Sequence, residues 1–555
     1  MATMLELAET ADAIAATSSK LEKVRVLAAF LARLSGEELA LATRYFAGLI
    51  FPVGDTRTLN VGGAAFSAVV RDLPGIDDAE IGRIWRRHGD VGDWLREVLT
   101  NAGREQGAPV GLRDVDSAFA AMAGASGSRA RTAMFRELID RVTPEEARYV
   151  AKLVSGEMRI GLREGLVEEA IGAAFAAGAA QVSRALMLTG DLGEVALLAA
   201  AGQLDEARPR WFVPLRFMLA TPVAGADEAI ARLGEEVWVE DKYDGIRCQL
   251  HRRGDQVALY SRDLKNVTTQ FPEVASAAAE LPRDVMLDGE ILAFRDGKVM
   301  PFHALQTRLG RVTPDPAIMD AVPVIYVAWD LLMEGSEVML DAPLRERRAR
   351  LEALGATDVI ALAHLESVRG AAEVERRFAD ARAPLNEGLM LKQPNSPYTP
   401  GRRGLNWLKL KRPLDTLDVV VVGAEWGHGK RRGVLSDVTF AVRVDGIDEF
   451  ATIGKAYSGL TDVEIAEMTE LLQRITVRDF GHFRTVHPEI VLEVAFDAVQ
   501  HSSRHKSGFA LRFPRIARWR HDKPVEEIDT LSRVRELAAV REVDREQRVD
   551  LATES

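Results

Sequence analysis

Glu240-Asp241-Lys242-Tyr243-Asp244-Gly245-Ile246-Arg247 is the stretch on which the reading of this chain turns. The apolar run Val237-Trp238-Val239 leads into it and Cys248-Gln249-Leu250 leads out, which predicts a position on or between strands. Lysine is the residue here that can attack phosphorus as a neutral amine and keep it as a covalent phosphoramidate. With an ordinary pKa of about 10.4, only roughly one lysine in a few thousand is neutral at pH 7. Lysine chemistry of this kind therefore needs nearby positive charge or desolvation. Arg247 is such a neighbour in sequence, and Gly245 allows a ligand close to the backbone. Taken alone, Lys-x-Asp-Gly is also what a surface Lys–Asp pair at a strand end looks like, so the rest of the chain must decide.

Working outward, Leu287-Asp-Gly-Glu290, Tyr326-Val-Ala-Trp-Asp330, Glu387-Gly-Leu-Met-Leu-Lys392, Trp407-Leu-Lys-Leu-Lys411 and Arg518-Trp-Arg-His-Asp-Lys523 follow in that order. Together with Lys242-Tyr-Asp-Gly-Ile-Arg247 they resemble the ordered motifs of the ATP-dependent DNA ligases, relatives of RNA ligases and mRNA capping enzymes. Matching stretches run from about Arg129 to Asp529.

The resemblance implies that Lys242 is the nucleophile that becomes AMP-lysine. It implies nucleotide contacts from Glu240 (the adenine amino group), Arg262 (ribose or phosphate), Glu290 (ribose), Trp329 (a ring stacked on adenine), Arg247, Arg403, Lys409 and Lys411. Glu387 and Glu290 would hold Mg²⁺ beside the triphosphate. Many relatives carry phenylalanine where Trp329 stands. Lys409 and Lys411 alternate along a strand and so share one face, where two cations would neutralise the α-phosphate. Arg520, Asp522 and Lys523 would orient the departing pyrophosphate. The cofactors implied are ATP and Mg²⁺, and the partner is nicked duplex DNA.

The segment before residue 206 is rich in alanine and leucine and reads as helix. Its clearest start is Thr143-Pro-Glu-Glu146, a capping box with proline at the first helical position. Gly156-Glu-Met-Arg-Ile-Gly-Leu-Arg-Glu-Gly165 follows; if helical, Arg159 and Arg163 share a face suited to phosphate. Its R-I-G-L core resembles the helical DNA-binding domain of larger DNA ligases. No internal repeat is legible. Pro209, Pro214 and Pro222 mark a linker, and strand-like runs then alternate with helices to about Arg412. Short strands follow Pro413, and Gly423 to Gly433 is a glycine-rich basic loop resembling that of the family's OB-fold.

The expected architecture is multidomain. An all-α DNA-binding domain (1–205) precedes an α+β adenylation domain of the nucleotidyltransferase kind (206–412), a C-terminal β-barrel OB-fold (413–530) and a charged tail (531–555).

The net charge of −12 argues against a uniformly basic nucleic-acid binder, but Arg402, Arg403, Lys409, Lys411 and Arg412 form a local basic patch. The single cysteine, Cys248, excludes an intramolecular disulfide and a multi-cysteine zinc site. With no membrane span or signal peptide evident, the expectation is a monomer without zinc or membrane contact. It would be cytoplasmic at a bacterial or archaeal nucleoid, or nuclear in a eukaryote. An RNA ligase or capping-type enzyme is the enzymatic alternative, and a DNA-end-binding scaffold with a dead site the non-catalytic one. The helical domain and Glu240 speak against the former, and intact Lys242, Glu387, Lys409 and Lys411 against the latter.

Overall fold

The strand expected before Lys242 and the strand expected after it belong to different sheets, and that split makes the site. In the computed structural model, residues 2–52, 55, 57–71, 73–104, 108–311, 313–382, 387–401, 403–411, 415–427, 431, 433–539 and 549–550 are described. Strands β1 (Leu219–Val223), β2 (Glu236–Asp241), β10 (Leu365–Arg369), β11 (Gly388–Lys392) and β12 (Arg403–Lys411) form one sheet, in the order β1-β12-β11-β2-β10. The other is built on β3 (Ile246–Arg253), β4 (Gln256–Ser261), β5 (Val285–Arg295), β7 (Val324–Glu334) and β9 (Ile360–Ala363), in the order β9-β7-β5-β3-β4. Short β6 (Lys298–Val299) and β8 (Glu337–Val338) pair with β5 and β7, and β22 (Val549–Asp550) adds to β9. Residues 242–245 carry the chain from the first sheet to the second.

Helices occupy the N-terminal part, as expected, and Thr143 caps Pro144–Ser155 with the full capping box. No repeat is legible in the sequence, yet the helices pack as two corresponding runs. Six helices (Met4–Ala15, Lys20–Leu31, Gly36–Phe46, Gly63–Val70, Asp78–Arg87, Val91–Asn101) are followed by six in the same arrangement (Leu112–Gly124, Ser128–Arg141, Pro144–Ser155, Glu164–Ala174, Ala179–Thr189, Leu192–Ala201). The last helix of each run starts with Gly-Asp-x-Gly, at Gly89 and at Gly190. Asp90 and Asp191 cap these helices, and each is held by a cation from the opposite run: Lys152 at 2.9 Å and Arg44 Nε at 2.8 Å. A Cβ on Gly92 would stand 2.4 Å from Arg148 O, and one on Gly193 2.8 Å from Ala40 O. Each half thus completes the other.

The structure also corrects the expected helix through Arg159 and Arg163. Gly156 ends the preceding helix in the left-handed conformation, and Arg159 (φ 53°) and Gly161 (φ 65°) are left-handed too, so the segment is a turn. Arg163 is the N-cap of Glu164–Ala174. The two arginines therefore do not stand one helical turn apart.

The C-terminal sheet is organised on the long strand β13 (Asp415–Trp426), with β14 (Leu435–Arg443) and then β15 (Phe450–Ala456) on one side. Its other side pairs with β18 (Val491–Phe496) along the first half and with β17 (Phe483–Val486) beyond, where β16 (Thr476–Asp479) continues the sheet. β21 (Arg515–Trp519) pairs with β18, and the hairpin β19 (Ala498–His501) and β20 (Phe509–Arg512) stands apart. Helix Asp462–Arg474, between β15 and β16, buries Ile465, Met468 and Leu472 against the sheet. Helix Leu531–Ala539, placed by the sequence reading in the tail, buries Leu531 and Val534 in the same core. The proline-bounded junction Arg412-Pro413-Leu414 and most of the basic loop after Gly427 lie outside the described residues.

Candidate active site

Gly245 explains why the turn between sheets needs glycine. A Cβ there would lie 2.3 Å from Ile291 O and 2.6 Å from Leu292 Cδ2. Gly388 is equally constrained, because a Cβ would meet Leu410 O at 2.1 Å. Its carbonyl accepts from Lys242 N at 2.9 Å, and this ties the lysine to the start of β11. Glu387, the residue before, is thereby brought against the Lys242 ammonium in an ion pair.

A cavity of about 350 Å³ opens between the two sheets. Its wall contains Glu240, Lys242, Arg247, Arg262, Glu290, Trp329 and Lys409, so residues scattered over 170 positions of sequence meet in one place. Lys411 follows Lys409 on the same face of β12, opposite Gly388, and is not part of the wall. Arg403 begins β12, and its side chain lies outside the described residues.

The electrostatics differ from the sequence expectation in one respect. Arg247 was expected to help lower the Lys242 pKa. Instead its guanidinium is spent on Asp288 (Nη2–Oδ2 2.6 Å, Nε–Oδ1 3.1 Å) and on Met218 O at 2.7 Å, between the rings of Phe217 and Trp329. Burial works to lower the Lys242 pKa, but Glu387, Glu290 and Asp244 together outweigh it and hold the amine above its ordinary value. Glu290 accepts from Gly245 N at 3.1 Å, and burial pushes its carboxyl up to about 8.

At the far end, Glu240 is 2% exposed and Lys392 1%, with Oε2 and Nζ 2.6 Å apart. Burial pushes the carboxyl up and the amine down, the direction expected for a pair removed from water. Lys392 is a residue that sequence reasoning passed over, although it closes the Glu387-Gly-Leu-Met-Leu-Lys392 motif.

Arg520 and Lys523 do not line the cavity. Both bind Asp418 on β13, at 3.0 and 2.6 Å, while Asp522 pairs with Arg520 at 2.9 Å. The hairpin β19–β20 does reach the site, with Arg512 Nη1 lying 3.3 Å from Asp244 Oδ1. In the helical domain, Arg159 is half-exposed and pairs with Glu157 at 2.6 Å and Asp90 at 3.5 Å. Arg163 is exposed.

Glu387 and Glu290, both close enough to raise the Lys242 pKa, offer only oxygen donors, the kind a hard dication such as Mg²⁺ takes. Among the described residues no cluster of three or more acidic, histidine or cysteine side chains holds a metal unaided.

Comparison with known proteins agrees along most of the chain. Residues 3–172 match the model of the DNA ligase N terminus, 217–411 that of the ATP dependent DNA ligase domain, and 431–523 that of the ATP dependent DNA ligase C terminal region. A probable DNA ligase of Koribacter versatilis is 46% identical, covering 96% of each chain. A DNA ligase of Thermococcus fumicolans is 35% identical over 97% of this chain and 98% of its own. The solved structure Pmar-Lig_PreS3, at 16% identity, shares the fold with a TM-score of 0.57 over 93% of this chain and 99% of its own. With three family models in register and near full-length relatives, the chain belongs to the ATP-dependent DNA ligase family.

Proposed function

We infer that this chain uses ATP to seal nicks in duplex DNA that present a 5′-phosphate beside a 3′-hydroxyl. The observation that carries the reading is the meeting of Lys242, Glu387 and Glu290 with Glu240, Trp329 and Lys409 around one cavity. Lys242 Nζ attacks the α-phosphorus of ATP; the N–P bond forms as the bond to the β-phosphate oxygen breaks, and pyrophosphate leaves. AMP next passes to the 5′-phosphate of the nick, and the 3′-hydroxyl displaces it to close the strand.

Each step moves a phosphoryl group between nucleophiles, so placement and charge carry the catalysis. Lys409, with Lys411 further along the strand, supplies positive charge to the α-phosphate. Trp329 packs on the base, and Arg262 meets the sugar or phosphates. Glu240 accepts from the adenine 6-amino group, a contact guanine cannot return because it presents a carbonyl there. Mg²⁺ held by Glu387 and Glu290 would balance phosphate charge and compete with Lys242 for its counter-ions.

The helical domain, with Arg159 and Arg163, grips the DNA backbone without reading sequence. The C-terminal domain brings Arg520, Asp522 and Lys523 to the pyrophosphate by swinging relative to the adenylation domain. The enzyme acts as a cytoplasmic monomer without zinc. No helix among the described residues is long and apolar enough to cross a membrane. The test is labelling: ATP labelled at the α-phosphate should form a covalent adduct with the chain that survives denaturing electrophoresis and is cleaved by acid, as a phosphoramidate is, with no adduct on Lys242→Arg, and GTP should label neither. A full-yield adduct on Lys242→Arg overturns the reading.

A further inference from the structure

Buried polar side-chain atoms without a hydrogen-bond partner occur at several places among the described residues, and nearly all belong to charged groups held in ion pairs. Glu164 pairs with Arg216, Glu194 with Arg210, Arg308 with Glu273 and Arg377 with Glu366. Two are different in kind: the indole nitrogens of Trp329 and Trp407, which are neutral donors with no acceptor. Both side chains line the nucleotide cavity, and two further orphans, Glu240 Oε1 and Lys392 Nζ, belong to its wall as well, on side chains that are ion-paired with each other. Unmet donors and an unmet acceptor gathered at one cavity point to a ligand that supplies the missing partners.

The two indoles cannot do the same work. If Trp329 lays its face on the base, its N–H lies parallel to that base and cannot reach the base edge. Trp407 is 2% exposed and stands directly across the ladder from Lys392, whose ammonium lies 4.3 Å above its ring and 2.6 Å from Glu240. Tyr398 packs edge-on against it at 5.7 Å and fixes its plane. Trp407 therefore borders the same end of the cavity as Glu240. An acceptor and a donor held together match adenine, whose 6-amino group is flanked by ring nitrogens that accept.

We propose that Trp407 reads the base: its indole N–H donates to a ring nitrogen flanking the adenine 6-amino group, beside Glu240, which accepts from the amine. The proposal rests on the ATP-dependent reading above. Trp407→Phe keeps an aromatic ring in the wall and removes only the donor, so it isolates the hydrogen bond.

The experiment is the rate of self-adenylation against concentration of ATP, 1-deaza-ATP and 7-deaza-ATP, for the full-length chain and for Trp407→Phe. The wild type should show a KM about tenfold higher for the one analogue that lacks the contacted nitrogen, the cost of one lost hydrogen bond. Trp407→Phe should show that same rise with ATP itself and no further rise with that analogue, with kcat within about twofold, since Lys242 and Lys409 are untouched. Far-UV circular dichroism and binding to nicked duplex, neither of which uses the base contact, should match the wild type and show that the variant is folded. Unchanged KM for ATP in Trp407→Phe, or a deaza penalty that persists in the variant, overturns the proposal. If the variant does not fold, a wild type indifferent to both analogues overturns it as well. Failure of the wild type to be labelled by ATP would instead count against the ligase reading.

Discussion

His251 is completely buried beneath the segment that joins the helical domain to the adenylation domain, and its protonation should loosen that junction. Phe212 N donates to Nδ1 at 3.0 Å, so Nδ1 is an acceptor; Nε2 faces Gln249 Oε1 at 2.8 Å and carries the proton. Gln249 Oε1 also accepts from Leu215 N at 2.8 Å, and Tyr260 donates to Phe212 O at 2.7 Å. Adding a proton at Nδ1 would set two donors against each other in a fully buried site. Burial accordingly lowers the pKa from 6.5 to about 3. Because the folded pKa lies below the unfolded one, the unfolded chain takes up the proton first. The stability is intact above about pH 6.5 and is lost as pH falls from there toward 3, by about 1.4 kcal/mol per unit.

Between pH 6.5 and 4.5 this single group should cost about 2 kcal/mol. His251→Asn can still accept from Phe212 and does not titrate. At pH 7 it should be less stable than the wild type by about 1–2 kcal/mol through lost packing. By pH 4.5 the order should reverse. Unfolding followed by calorimetry for both proteins across that range provides the measurement, with the difference between them cancelling groups common to both. Parallel curves, with a constant gap from pH 7 to 4.5, would refute the argument.

Gly245→Ala should abolish self-adenylation, because its Cβ would stand 2.3 Å from Ile291 O, while the C-terminal domain keeps its fold by circular dichroism. Lys392→Met should leave Glu240 buried and unpaired at a cost of about 3–5 kcal/mol, and adding Glu240→Gln should recover much of the lost melting temperature. Asp522→Ala and Lys523→Ala should lose most self-adenylation yet keep sealing pre-adenylated nicks, because pyrophosphate leaves only in the first step. Glu387→Ala and Lys411→Ala should damage both steps, so equal failure of all four would remove the step-specific role. Removing residues 1–205 should spare ATP labelling and weaken binding to nicked duplex in a gel-shift assay.

The parts legible from sequence are those where a local rule decides structure. The strands around Lys242 follow from apolar runs, the helix at Thr143 from its capping box, and the order of motifs from chemistry that needs particular side chains. What was hidden depends on distance. The two six-helix runs share little beyond Gly-Asp-x-Gly and the cation that meets it, and that cation lies in the other half of the domain. A search for similar neighbouring sequence cannot see a contact exchanged between Lys152 and Asp90 or Arg44 and Asp191. The turn at Arg159 was missed because arginine is rarely left-handed, and only the glycines on either side of it permit the reversal.

Lys242 shows the same limit at the reactive centre. In sequence, Arg247 is the nearest cation and the natural means of lowering the lysine pKa. In space, Asp288 and Met218 O claim that arginine, while Glu387 above all, with Glu290 and Asp244, keeps the lysine charged. The arrangement stores the nucleophile as an ammonium ion paired with Glu387. A charged amine has no lone pair, so the lysine paired in this way is inert toward phosphorus, and reactivity depends on what draws the carboxylates away. Glu387→Gln separates this from a simple account in which Glu387 only binds metal. With the counter-charge removed, the Lys242 pKa should fall, and a lysine-selective acylating reagent without ATP or metal should modify Lys242 faster than in the wild type at pH 7. Unchanged or slower modification would show that the ion pair does not restrain the lysine.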